Sequence, residues 1–120
     1  MSLRTVSPQT RKRKIDSTRV NAQIFAALGD ETRLVLVKKL CAGTPCSISQ
    51  LAQDSHLTRQ AITKHLRVLE GAGIVRSERA GRESLFKFDP EPIDAIKTYL
   101  DTVASQWDNA LARLKEFVES

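Results

Sequence analysis

The sequence predicts a mainly α-helical domain with a small β-hairpin, and three stretches carry that prediction. In 58–73, Ile62, Leu66 and Leu69 recur at helical spacing between a capping Thr58 and the exit residues Gly71 and Gly73. In 74–88, two extended runs, 74–79 and 83–88, flank the tip Ala80-Gly81-Arg82. From Ile93 onward, Ile96, Leu100, Val103, Trp107, Ala110, Leu114 and Phe117 follow at alternating gaps of four and three, a heptad stripe. At 120 residues and 41% hydrophobic content, the chain is long enough for one domain with a modest core.

In chain order, residues 1–16 hold five cations, one acid, Ser, Thr and Pro, and no apolar period. This segment is expected to be a disordered basic arm, whose cations could add phosphate contacts, with the folded domain occupying 17–120. A first helix is expected over 18–28, with Val20, Ile24, Phe25 and Leu28 on one face and Gly29 ending it. Asp30 then caps a second helix over 31–40, acidic at its start and closed by Lys38 and Lys39, an order that suits the helix dipole. Leu34, Leu36, Val37 and Leu40 make it a core helix. After the loop 42–45, Cys46-Ser47-Ile48 reads as a stub strand, and Ser49 as the cap of a two-turn helix over 50–54. Ser55-His56-Leu57 turns the chain into the helix that starts after Thr58. A short helix, a tight turn and a longer helix with a polar outer face form a helix-turn-helix, for which Ala52 and Ala61 permit a close crossing. The hairpin behind it is then a wing. Pro90 and Pro92 suit the start of a last helix running over about 91–118, of which the stretch from Ile93 to residue 118 is roughly 39 Å long at 1.5 Å per residue. A domain of this size is only about 26–30 Å across, so that helix cannot bury its whole stripe on its own chain. A second copy related by a two-fold axis is the simplest cover. The expected dimer interface uses Ile96, Leu100, Val103, Trp107, Leu111 and Leu114, with Phe25 and Leu28 of the first helix alongside.

The outer face of 58–73 presents Arg59, Gln60, Thr63, Lys64 and Arg67. Arginine forks onto guanine edges, amides pair with adenine, and Lys or Thr takes phosphate, so this face suits a DNA major groove. Arg79 and Arg82 flank the wing tip, where guanidiniums suit phosphates or a narrow minor groove. The net charge of +5 is unevenly placed: residues 59–87 carry seven cations and three acids, residues 88–120 three cations and seven acids. A polyanion held at the middle of the chain, with the acidic end turned away, fits that layout.

Other classes are excluded or disfavoured by what the residues lack. No run of about 18 apolar residues could span a membrane, and the basic N-terminus has no apolar stretch of a secretory signal, so a cytoplasmic protein is expected. Cys41 and Cys46 are too few for a disulfide-stapled secreted domain and are expected to be reduced. No Ser-His-Asp order, carboxylate pair or phosphate-cradling glycine loop is present, so no enzyme is expected.

The order of elements and their residues resemble the ArsR-type (arsenical-repressor-like) winged helix-turn-helix regulators. The run Phe25-Ala26-Ala27-Leu28-Gly29-Asp30-Glu31-Thr32-Arg33-Leu34 is similar to the opening of that family's domain. Gln50-Leu51-Ala52, the stretch from Thr58 to Leu69, and Gly71-Ala72-Gly73-Ile74-Val75 continue the similarity in register, over roughly residues 20–88. The resemblance implies a homodimeric repressor at a palindromic operator on double-stranded DNA. It places Arg59, Gln60, Thr63, Lys64 and Arg67 in the major groove, Thr58 and His65 at the backbone, and Arg79 and Arg82 on the wing. The family's metal chemistry does not carry over. The stretch matching its Cys-x-Cys site reads Ile48-Ser49-Gln50-Leu51, and the last helix has no His. Cys41, Cys46, His56 and His65 do not form a recognisable zinc set, so no metal and no cofactor are expected, and the residues name no effector. Two alternatives stay open at this point: a redox switch through Cys41 and Cys46, and a protein-interaction module on the same scaffold that binds no DNA.

Overall fold

The computed structural model describes residues 8–53 and 55–119, with side chains from Ser17 onward. Five helices and three short strands follow one another as α1 (Pro8–Leu28), α2 (Glu31–Leu40), β1 (Cys46–Ser47), α3 (Ile48–Ala52), α4 (Arg59–Gly71), β2 (Val75–Ala80), β3 (Glu83–Phe88) and α5 (Pro90–Glu119). The chain is mainly helical, with a three-stranded antiparallel sheet in the order β1-β3-β2. It is a winged helix-turn-helix, as expected.

Local chemistry accounts for most boundaries. The Asp30 carboxylate accepts from the Arg33 amide at 3.0 Å and caps α2. The Thr58 hydroxyl accepts from the Ala61 amide at 3.1 Å and caps α4. At the far end of α4, the Ile74 amide reaches back to the Leu69 carbonyl and the Gly73 amide to that of Glu70, with Gly73 at φ +78. Those paired bonds form the closing motif that wants a left-handed residue just past the helix. Gly71, expected to share that role, is the last helical residue. In the hairpin, Ala80 pairs with Glu83, and Gly81 takes φ +64 at the tip.

Three expectations need correction. The first helix begins at Pro8, ten residues before the expected start, so 8–16 is helical, whereas residues 1–7 of the expected arm lie outside the described residues. Lys and Arg are good helix formers, no Gly or Pro interrupts 9–28, and a proline in the first turn has no amide to lose. Lack of an apolar period argues against burial, which is a different matter from helicity. Next, α3 is capped by Ser47, not Ser49. The Ser47 hydroxyl accepts from the Gln50 amide at 3.1 Å, and the Gln50 side chain accepts from the Ser47 amide at 2.7 Å. That reciprocal box needs Gln three residues after the cap, a spacing only Ser47 has. Finally, Leu34 is 52% exposed and lies outside the core. It sits about 200° around the helix from Leu36, while Leu36 and Leu40, four apart, turn inward.

The core unites Ile24 and Ala27 of α1, Leu36 and Leu40 of α2, Leu51 of α3, and Ile62, Leu66 and Leu69 of α4. Ile74, Val75, Phe86 and Ile96 complete it. It fixes α4 against the rest of the domain and leaves the opposite side of that helix in solvent. α5 behaves differently. Its thirty residues extend about 45 Å, and the Cα radius of gyration is 19.8 Å, against about 13.6 Å for a compact chain of this length. Ile96 is buried, but Leu100, Trp107, Leu111, Leu114 and Phe117 are exposed.

Candidate nucleic-acid interface

The N-cap at Thr58 and the closing turn at Gly73 fix where α4 starts and stops. Its three buried residues then fix its rotation. Arg59, Gln60, Lys64 and Arg67 are all exposed on the side away from the core. Thr63 is half-buried, and its hydroxyl donates to the Arg59 carbonyl at 2.7 Å, so its proton is already used inside the helix. Arg79 and Arg82 are exposed on the hairpin. The expected site residues thus lie on one helix and the wing, and Arg59 and Arg82 border a common cavity.

They are not equally available. The Arg67 guanidinium lies 3.0 Å from a Glu70 carboxylate oxygen, and the other Glu70 oxygen accepts from the Ser77 hydroxyl at 2.6 Å. Glu70 therefore joins α4 to β2 and holds Arg67 against the helix. Its pKa is lowered, first by the Ser77 hydrogen bond and then by Arg67. The i,i+3 spacing of Arg67 and Glu70 could have revealed the pair in the sequence. Arg76 is likewise committed, its Nε donating to Asp89 at 2.8 Å. Asp89 also accepts from the Glu91 amide at 3.0 Å, and this bond, followed by Arg76, lowers its pKa.

His65 does not join the reading face. Its Nδ1 lies 3.2 Å from Arg33 Nη1, so in the neutral tautomer that leaves Nδ1 bare it accepts from the guanidinium. Arg33 also donates to the Ala27 carbonyl at 2.6 Å and the Ala26 carbonyl at 3.4 Å, at the end of α1. Asp30 stands 3.8 Å from the same imidazole nitrogen. Its pKa is lowered chiefly by the Arg33 amide, with the charge of Arg33 adding to it. Arg33 is thus a hub tying α1 and α2 to α4. Sequence reasoning missed it, because contacts at separations of 6 and 32 residues leave no local signature.

Among the residues expected at a dimer interface, Ile96 is 5% exposed and packs in the chain's own core. Leu28 is half-buried against the same core. Phe25 remains exposed and meets Tyr99 edge-on, ring centroids 6.0 Å apart, so an aromatic pair bridges α1 and α5 beside the bare stripe. Tyr99 lies between heptad positions and escaped the periodicity argument. Cys41 is exposed and Cys46 half-buried, both free thiols. Among the described residues, no three His, Cys, Asp or Glu side chains converge on a metal-sized site, and no helix is long and apolar enough to cross a membrane.

Comparison with known proteins gives a consistent result. Residues 30–77 match the family model described as "Bacterial regulatory protein, arsR family". The chain is 34% identical over 96 residues to the HTH-type transcriptional regulator Rv2034 of Mycobacterium tuberculosis, covering 80% of this chain and 86% of that one. It is 29% identical over 89 residues to the HTH-type transcriptional repressor SmtB of the same species, covering 74% and 64%. Among solved structures, an ArsR-like transcriptional regulator from Rhodococcus sp. RHA1 is similar with a TM-score of 0.75 and 34% identity, over 85% of this chain and 95% of that one.

Proposed function

Because this chain belongs to the ArsR family and is a DNA-binding transcriptional regulator, we propose that it acts as a homodimeric repressor gripping a palindromic operator. The observation that carries the reading is the uncovered apolar stripe of α5. Leu100, Trp107, Leu111 and Leu114 are between 48% and 64% exposed along one helix, the kind of apolar surface that marks an interaction site. A second copy of the same helix covers it, with the half-buried Val103 and Leu28 and the exposed Phe25 at its margin. Two α4 helices related by that axis meet successive major grooves when they stand about 34 Å apart, one turn of the duplex.

Within each half-site, Gln60 and Lys64 are free to meet base edges and phosphates, with Thr58, Arg59 and Thr63 beside them. Arg67 joins when it leaves Glu70. Arg79 and Arg82 extend contact from the wing. Such a surface displaces counterions, so affinity falls steeply with salt. Repression follows by occlusion of a promoter, the mode consistent with a relative named as a repressor. The test combines size and binding. Light scattering on the full chain is expected to give twice 13.4 kDa. Arg59→Ala with Lys64→Ala is expected to weaken binding to a selected duplex and to flatten its salt slope by about one to two. A 13.4 kDa species that still binds, or an unchanged slope, counts against the reading.

A further inference from the structure

Between the start of α4, the wing tip and the start of α3 lies a cavity of about 220 Å³, bordered by Ser49, Arg59, Arg82, Glu83 and Ser84. Two arginines and two serines line it, from α4, α3 and the wing. Among the described residues, none of these four side chains takes part in a hydrogen bond or ion pair, in contrast to Arg67 and Arg76, which are both held by carboxylates. Glu83 borders the same cavity without pairing with either arginine. We propose that this cavity is a seat for one backbone phosphate of the bound duplex, with Arg59 and Arg82 as its charge partners and Ser49 and Ser84 as its hydroxyl donors. The inference rests on the DNA-binding reading and goes beyond it. It takes Arg59 away from base recognition, leaving Gln60 and Lys64 to read sequence.

The chemistry favours phosphate over a base edge. A base edge is a planar strip that one forked side chain satisfies alone. A phosphate diester offers oxygens in several directions, which suits donors arriving from the start of α4, the start of α3 and the wing. The cavity also lies at the end of α4, to the side of its reading face, where the rim of a groove passes. Because α3 and the wing both contribute, one occupied seat fixes the angle between helix and wing on the duplex. Phosphate contacts of this kind set register and carry no sequence information themselves. Glu83 is the counterweight: a carboxylate facing the same space weakens the hold.

The test uses the full chain and a duplex recovered by selection from random sequence with the wild-type protein. Affinity is measured for that duplex and for each of its single-base variants across a range of salt. Arg59→Gln is expected to weaken every duplex by a similar factor, about tenfold, and to lower the salt slope by about 0.9, leaving the order of base preference intact. Ser49→Ala combined with Ser84→Ala is expected to weaken all duplexes about threefold with the slope nearly unchanged, since the phosphate keeps its cationic partners. Glu83→Gln is expected to tighten binding. Ser49 is exposed, so unfolding temperatures equal to wild type will show that the serine variants act on binding and not on folding. Arg59→Gln that erases preference at one base pair and spares the others makes Arg59 a base reader and overturns the seat. A serine pair without effect overturns it too, while DNA binding itself stands. Failure of the wild-type chain to enrich any duplex overturns the DNA-binding reading, and the seat with it.

Discussion

α4 and α5 are both amphipathic helices, yet one is complete within a single chain and the other is not. α4 hides Ile62, Leu66 and Leu69 entirely and sends its cations into solvent. α5 buries Ile96 and then runs on past the domain that could cover it, with Trp107 at 64% and Phe117 at 78% exposure. The cations of α4 other than Arg67 lack an anion among the described residues, and the apolar face of α5 beyond Ile96 lacks a surface. The difference teaches that a periodic stripe states what a helix needs to bury, whereas the dimensions of the rest of the fold decide whether one chain can supply it.

The largest effects are expected from substituting one leucine in each helix. Leu66→Ala in α4 is expected to cost about 2–5 kcal/mol in thermal or denaturant unfolding, because it opens a cavity in a closed core. Leu111→Asp in α5 is expected to leave a folded chain that no longer dimerises, with a halved mass in light scattering and operator binding lost with it. If instead Leu111→Asp unfolds the chain at any concentration, α5 is a core helix and the contrast fails. A smaller effect is expected at the cap of α4. Thr58→Ala should lower stability by about 1 kcal/mol, read from the denaturation midpoint, since one first-turn amide loses its acceptor.

The smallest expected effect concerns Glu70, which binds α4 to the wing. Its folded pKa is depressed, so its ionised form stabilises the fold above the ordinary glutamate range, and that contribution is lost as pH falls through the folded value. Glu70→Gln should therefore remove part of the acid limb of the stability profile and leave neutral pH little changed. It should also release Arg67 and raise affinity for non-specific duplex in filter binding. Equal acid limbs in the two proteins would mean that the Ser77 and Arg67 contacts do not outlast solvation.

Much of this molecule was readable along the chain, for reasons visible in particular residues. Asp30 and Thr58 act within four residues of themselves, so their capping needed no knowledge of the fold. Gly73 and Gly81 mark turns that demand positive φ. The candidate reading face followed from the same periodicity that identified the back of α4. Ser47 was passed over for Ser49 because two serines compete two residues apart and only the Gln50 side chain decides between them. Arg33 and Ser77 were unreadable, since their partners come from other elements. The cavity shared by Ser49, Arg59 and Ser84 was unreadable for the same reason.

Local rules thus settled the order of the elements, the caps of α2 and α4 and the sidedness of α4, because hydrogen-bond satisfaction within a turn and the 3.6-residue repeat are properties of contiguous residues. Three-dimensional packing alone decided how far along α5 the core extends, which arginines are bound by carboxylates, and which are left bare. Those outcomes depend on distances between segments remote in sequence, and burial or pairing at one position is set by whatever the rest of the fold brings within a few ångströms of it.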